Sequence, residues 1–172
     1  MHRRIFAVGL PTIAGRFRTG PGEFGGSNQH ALKGAPPEEI ASRLAQAFRM
    51  LDHPGFQRAR SDVAAACARF LEVFFRIHPF ADGNGRVGRE ILRWVCASRT
   101  RFRFNRFTTT SRERRKYFRV LEYAHQHAPG STHDRRNDRV DPYRYLAKWL
   151  EKHLEEIPID FQEIPPSFSR RP

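Results

Sequence analysis

Apolar residues recur at helical spacing along most of this chain. After Pro36 and Pro37, residues Ile40, Leu44, Ala47, Phe48 and Leu51 predict a helix with one buried face. Glu38 and Glu39 fall in its first turn, where the helix dipole favours carboxylates. A second helix is predicted from an Asp62 N-cap to Ile77, burying Cys67, Phe70, Leu71, Phe74 and Ile77. It is apolar over much of its circumference, which marks a central helix. Pro79 and Gly83 forbid smooth continuation. A third helix is expected from about Gly85 to Ala97, with Val87, Ile91, Leu92 and Val95 inward. Thr110 and Glu113 fit a capping box that opens a helix through about His125, with Tyr117, Val120, Leu121 and Ala124 as its stripe. Asp141-Pro142 is a cap followed by proline at the first helical position. Leu146, Trp149, Leu150, Leu154 and Ile157 then give a last helix its core face.

Residues 15 to 37 lack this periodicity and are rich in glycine and proline. Phe17, Phe24 and the pair Gly25-Gly26 predict an irregular loop or short hairpin there. From Pro158 onward, prolines and polar residues predict a tail. The expectation is an all-α domain over 1–157 with one small hairpin, followed by a tail over 158–172.

Composition narrows the class. The chain has 172 residues with 39% hydrophobic content, enough for one domain with a closed core. The two cysteines, Cys67 and Cys96, fall in predicted buried helices and read as small core residues, which argues against a disulfide scaffold. No run approaches a membrane span, and the opening MHRRIFAVGLP is too short in apolar residues for a cleaved secretory signal. A reducing, cytoplasmic setting fits. The formal charge is +13, nearly all from arginine. The arginines are spread along the chain, with clusters at Arg99–Arg106, Arg112–Lys116 and Arg135–Arg139. That charge keeps open a nucleic-acid or acidic-protein binding module. Neither zinc-ligand spacing nor an aromatic RNA-binding strand motif supports it.

The segment His78 to Arg89, HPFADGNGRVGR, carries the most chemistry. Glycines in a Gly-Asn-Gly turn let successive N–H groups point inward and cradle an anion. The following helix adds free N–H donors and its positive dipole end at the same spot. Arg86 and Arg89 are three apart, share a helix face and can converge on one polyphosphate. Asp82 can offer oxygen to a Mg²⁺ ion bridging phosphates. His78, at the end of the preceding helix, can accept a proton near neutral pH. Each feature alone has a plainer reading as turn, cap or solvated charge. Together they meet the needs of nucleotidyl transfer.

The same segment resembles the Fic family signature, His-x-Phe-x-(Asp/Glu)-Gly-Asn-Gly-Arg-x-x-Arg, at every fixed position. The likeness extends to MHRRIF and AGRFR within Met1–Arg18, to the stretch around Phe24–His30, and to SRERRKYFRVLEYA at Ser111–Ala124. It implies a helical bundle of about six to eight helices with a β-hairpin flap beside the active site. It also implies protein adenylyl transfer, moving AMP from ATP to a Tyr, Thr or Ser hydroxyl of a target protein and releasing pyrophosphate. By that resemblance His78 is the general base and Phe80 the structural anchor of the turn. Asp82 holds Mg²⁺, or Mn²⁺ in its place. Gly83, Asn84 and Gly85 shape and line the phosphate nest, and Arg86 and Arg89 bind the phosphates. Phe24, Gly25, Gly26 and Ser27 belong to the flap, which pairs with the target by strand addition. Tyr117 is a candidate for the adenine pocket, with core packing its other reading. Family members often carry an inhibitory Ser/Thr-x-x-x-Glu-(Gly/Asn) helix. That sequence does not occur in this chain, which leaves three readings: a separate antitoxin protein bearing the glutamate, a longer native chain that carries it, or an unrestrained enzyme. A topoisomerase-type enzyme is one target the resemblance permits. Transfer of another nucleotide or phosphate-containing group on the same scaffold is the alternative activity.

Overall fold

In the computed structural model, residues 1–3, 12–24, 32–105, 110–129 and 141–157 are described. A helix follows Pro36 and Pro37 as expected. Pro37 occupies the first position of a 3₁₀ turn, Pro37–Glu39, that leads directly into α1 (Ile40–Arg49). Ile40, Leu44, Ala47 and, just beyond the helix, Leu51 are buried. Phe48 is not: with Met1, Phe17 and Trp94 it is exposed along an apolar groove of about 750 Å³.

The central helix α2 (Arg60–Ile77) starts earlier than its predicted cap. Ala59 is the N-cap, and Asp62 sits in the first turn, where its charge still suits the dipole. Val63, Cys67, Ala68, Phe70 and Leu71 are fully enclosed. The helix packs against α1, α3 (Asn84–Arg99), α4 (Ser111–His127) and α5 (Arg144–Glu151). Cys67 and Cys96 face one another across α2 and α3 as free thiols, Sγ to Sγ 3.7 Å, and both are buried as expected. One polar cluster crosses the core. Buried Glu72 accepts from Arg76 Nε at 2.8 Å and meets His125 Nδ1 at 3.0 Å, tying α2 to α4.

Helix α4 opens with the predicted capping box. Thr110 Oγ1 accepts from the Glu113 amide at 3.2 Å, and Glu113 Oε2 accepts from the Thr110 amide at 3.1 Å. Thr110→Ala should therefore cost about 1 kcal/mol, and Thr110→Ser much less. Urea denaturation of the two variants checks this, and equal stability would show that the box contributes nothing.

The last helix is shorter than its apolar spacing predicted. It ends at Glu151, and Leu154–Glu156 forms a strand instead. Four short strands occur among the described residues: β1 (Glu23–Phe24), β2 (Leu32–Lys33), β3 (Phe102–Phe104) and β4 (Leu154–Glu156). β1 pairs antiparallel with β2, where the hairpin was expected, and β4 pairs antiparallel with β3. Phe102 and Phe104 point into the core while Arg103 points out, the period of a strand. Arg101 and Arg103 meet Glu156 and Glu155 across the ladder at 3.2 and 3.8 Å. With Arg99 bonded to Asp52, three arginines of that basic cluster face carboxylates. The cluster Arg135–Arg139 and the predicted tail 158–172 lie outside the described residues. The architecture is thus helical, with five α-helices among the described residues and small two-stranded sheets at its edges.

Candidate active site

Helix α2 ends where the chemistry begins. His78 is its C-cap and takes a left-handed backbone, φ 49° and ψ 59°, a conformation that costs a non-glycine residue energy. Its amide donates to the Phe74 carbonyl at 3.1 Å, and its own carbonyl accepts from Arg18 Nε at 2.7 Å. The imidazole is half-buried. Burial first, then the positive charge of Arg18, pull its pKa below the ordinary 6.5, with the Phe75 backbone working the other way. The ring therefore stays neutral, and able to take a proton, down to lower pH than an ordinary histidine.

The turn from Pro79 to Gly83 is held from inside by Asn84. Its Oδ1 accepts from the Phe80 amide at 2.9 Å, and its Nδ2 donates to the Phe80 carbonyl at 2.7 Å. The side chain is 4% exposed. The structure thus turns Asn84 into the loop, whereas the resemblance had it facing phosphates. Gly83, at φ 82°, is the N-cap of α3, in the left-handed region that glycine adopts without strain. No side chain caps α3, so its first amides remain as anion donors.

Charged groups surround that helix start. Asp82 Oδ1 accepts from the Gly83 amide at 2.6 Å, and Oδ2 lies 3.1 Å from Arg86. Both side chains of that pair are more than half exposed, so the pair itself contributes little stability. Arg89 folds back toward the turn: a Cβ added at Gly85 would lie 3.2 Å from its Nη1. The Arg89 guanidinium also lies beside the Tyr117 hydroxyl, whose pKa burial pushes up and Arg89 opposes. Tyr117 itself is 1% exposed and packs on Trp149 with ring centroids 4.9 Å apart. Its placement is that of a core residue, and it presents no open wall to an adenine ring.

Two further residues, not singled out from the sequence, support the turn. His2 is buried and stacks on Phe80, centroids 3.9 Å apart. The Gly15 amide donates to His2 Nδ1 at 2.8 Å. The ring proton is therefore on Nε2, which donates to the Asp82 carbonyl at 3.1 Å. Phe80 is thereby enclosed, between His2 and Phe17. Arg18 is also buried and reaches the ends of both α2 and the β1–β2 pair. Both residues lie in the segments whose resemblance was noted, but only the fold shows what they touch. Beside His78 lies a cleft of about 510 Å³, lined by Thr12, Arg16, Phe17, Gly22, Glu23 and Phe80. The flap residue Phe24 is in β1, while Gly25, Gly26 and Ser27 lie outside the described residues.

One latched turn thus joins a half-buried imidazole that can accept a proton, at one helix end, to a helix start whose amides can donate to an anion, at the next. A family model for the Fic/DOC family matches residues 1–96, and the chain belongs to that family. The fold is shared with solved structures of low sequence identity. A Fic domain containing signaling protein from Bacteroides thetaiotaomicron is 20% identical, with a TM-score of 0.65 over 88% of this chain and 56% of its own. The VirB-translocated effector BepC from Bartonella tribocorum, solved with bound AMPPNP, is 15% identical, with a TM-score of 0.59 over 84% of this chain and 67% of its own. A Fic family protein from Desulfovibrio desulfuricans is 21% identical, with a TM-score of 0.56 over 88% and 43%. This chain thus spans about half the length of the first and third of these relatives.

Proposed function

We propose that this chain is a protein adenylyltransferase. The carrying observation is the juxtaposition of His78, its pKa held low, with the uncapped α3 start and its flanking Asp82, Arg86 and Arg89. The α3 amides and both guanidiniums would hold the ATP phosphates. A hydroxyl of the target, entering from the cleft beside His78, would give its proton to the imidazole. Its oxygen would bond to the α-phosphorus as the bond to the β-phosphate oxygen breaks, and pyrophosphate would leave. Fixed amides and cations then stabilise the charge that develops. BepC, which shares the fold, binds an ATP analogue, and this supports ATP as the donor here.

The residues fit a phosphate-bridged Mg²⁺. Asp82 offers one exposed carboxylate next to the phosphate cradle, and Mg²⁺ characteristically takes one or two protein carboxylates plus phosphate and water oxygens. A group of three or more protein ligands is not found among the described residues, which suits this mode rather than a closed protein cage. When bound, the ion would neutralise phosphate charge. Strand β1 and strand β2 would be the legs of the flap that aligns the target backbone.

Label transfer tests the proposal. With α-³²P-ATP and Mg²⁺, the chain should label itself or a protein in its own lysate, and with γ-³²P-ATP it should not. Label from the γ position instead would make it a kinase-like phosphotransferase. Label from neither would remove ATP as the donor.

A further inference from the structure

We infer that Arg18 is a positioning residue that locks the base His78 and both legs of the flap into one register. This rests on the proposed role of His78, but its structural part can be measured without any activity.

Four carbonyls converge on this one guanidinium. Nε donates to His78 O at 2.7 Å and Nη1 to Gly20 O at 2.6 Å, while Nη2 donates to Ala35 O and, at 3.3 Å, to Ile77 O. Two acceptors belong to the end of α2 and the other two flank the β1–β2 pair, one before β1 and one after β2. The Arg18 amide adds a bond to Pro79 O at 3.0 Å. A mere helix cap would need only the α2 carbonyls. The two legs are joined to one another by Gly34 N–H to Gly22 O at 2.7 Å, and to the helix by Ala35 N–H to Ile77 O at 3.2 Å. The guanidinium fills the junction completely. A Cβ at Gly22 would lie 2.5 Å from its Nε, and one at Gly34 would lie 2.6 Å from Nη2 and 3.0 Å from His78 Cβ.

Two consequences follow for the site. The bond to His78 O helps hold the left-handed backbone that aims the imidazole. A target strand paired to the flap would therefore be set relative to the base by this fork. The buried positive charge also disfavours a second charge on His78. The titratable groups and fixed charges facing that ring are Arg18 from the N-terminal segment and His125 from α4, with Arg16 and Glu23 also lining the cleft. A lysine keeps the charge but cannot reproduce a planar fork with fixed donors. A methionine removes both.

The test uses the full chain and the variants Arg18→Lys, Arg18→Met and Gly34→Ala. The readouts are a histidine-ring NMR titration of His78, amide hydrogen exchange at Gly34 and Ala35, and self-modification kinetics against pH. Arg18→Met should raise the His78 pKa and move the acid limb of the rate profile to higher pH. Arg18→Lys should leave that titration in place while exchange at Gly34 and Ala35 quickens by about tenfold or more. Its kcat should fall while KM for ATP holds, because the α3 phosphate site is untouched. Gly34→Ala keeps the charge and every donor but crowds Nη2, so it should reproduce the lysine result; it keeps the test open should Arg18→Met fail to fold. Unchanged exchange in both Arg18→Lys and Gly34→Ala would overturn the lock. An unchanged His78 titration in Arg18→Met would overturn the effect on the base. A wild-type chain that transfers no AMP would defeat the base role itself, and exchange and titration would still decide what Arg18 holds.

Discussion

Replacing His78 with alanine should lower AMP transfer by about 100- to 10,000-fold, the usual worth of a positioned general base. The fold should survive, because the backbone amide and carbonyl bonds at this position remain in the alanine variant. Affinity for ATP should change little, since the phosphate donors sit on α3 and its first turn. The same assay carries a pH signature. Burial and Arg18 depress the His78 pKa, so its neutral, proton-accepting form persists below pH 6.5. The acid limb of the wild-type kcat/KM profile should therefore have its midpoint below pH 6.5. A His78→Ala chain with wild-type rates, or an acid limb above 6.5, would remove His78 from the base role. Equilibrium binding of a fluorescent ATP analogue to the alanine variant separates loss of chemistry from loss of nucleotide.

The motif was legible because its chemistry is local. Gly83, Arg86 and Arg89 fall within seven residues of one another, and three- and four-residue helical spacing alone places the arginines on one face. The capping box at Thr110 was legible for the same reason. The supports of the site were not. His2 bonds to a residue 80 positions away and Arg18 to one 60 positions away. Spacing carries no signal of such contacts, and both residues look like ordinary members of a basic N-terminal run. The misread last helix has a related cause. Leu150, Leu154 and Ile157 are spaced three and four apart, which satisfies a helix. What overrides that spacing is pairing with Phe102–Phe104, some fifty residues earlier. Asn84 is a third kind of case. Its presence in a glycine turn suggested a ligand contact, yet a side-chain amide, with its acceptor and donor side by side, can also serve an N–H and a C=O of the same residue at once.

The Asn84 latch carries the second large effect. Asn84→Ala should destabilise the folded chain by about 2–4 kcal/mol, because it leaves the Phe80 N–H and C=O buried without their partners. Asn84→Asp should not rescue it: a carboxylate can accept from the Phe80 amide but has no hydrogen for the carbonyl, and it adds a buried charge. Urea denaturation without nucleotide measures this directly. If Asn84 instead served the phosphates, alanine would raise KM for ATP and leave the nucleotide-free stability unchanged. A latch predicts the reverse order, with stability lost before any ligand is present. Transfer should then fall as well, since the turn it closes fixes the distance between the base on α2 and the donors on α3. A one-ångström loosening there is enough to cost about a hundredfold in rate.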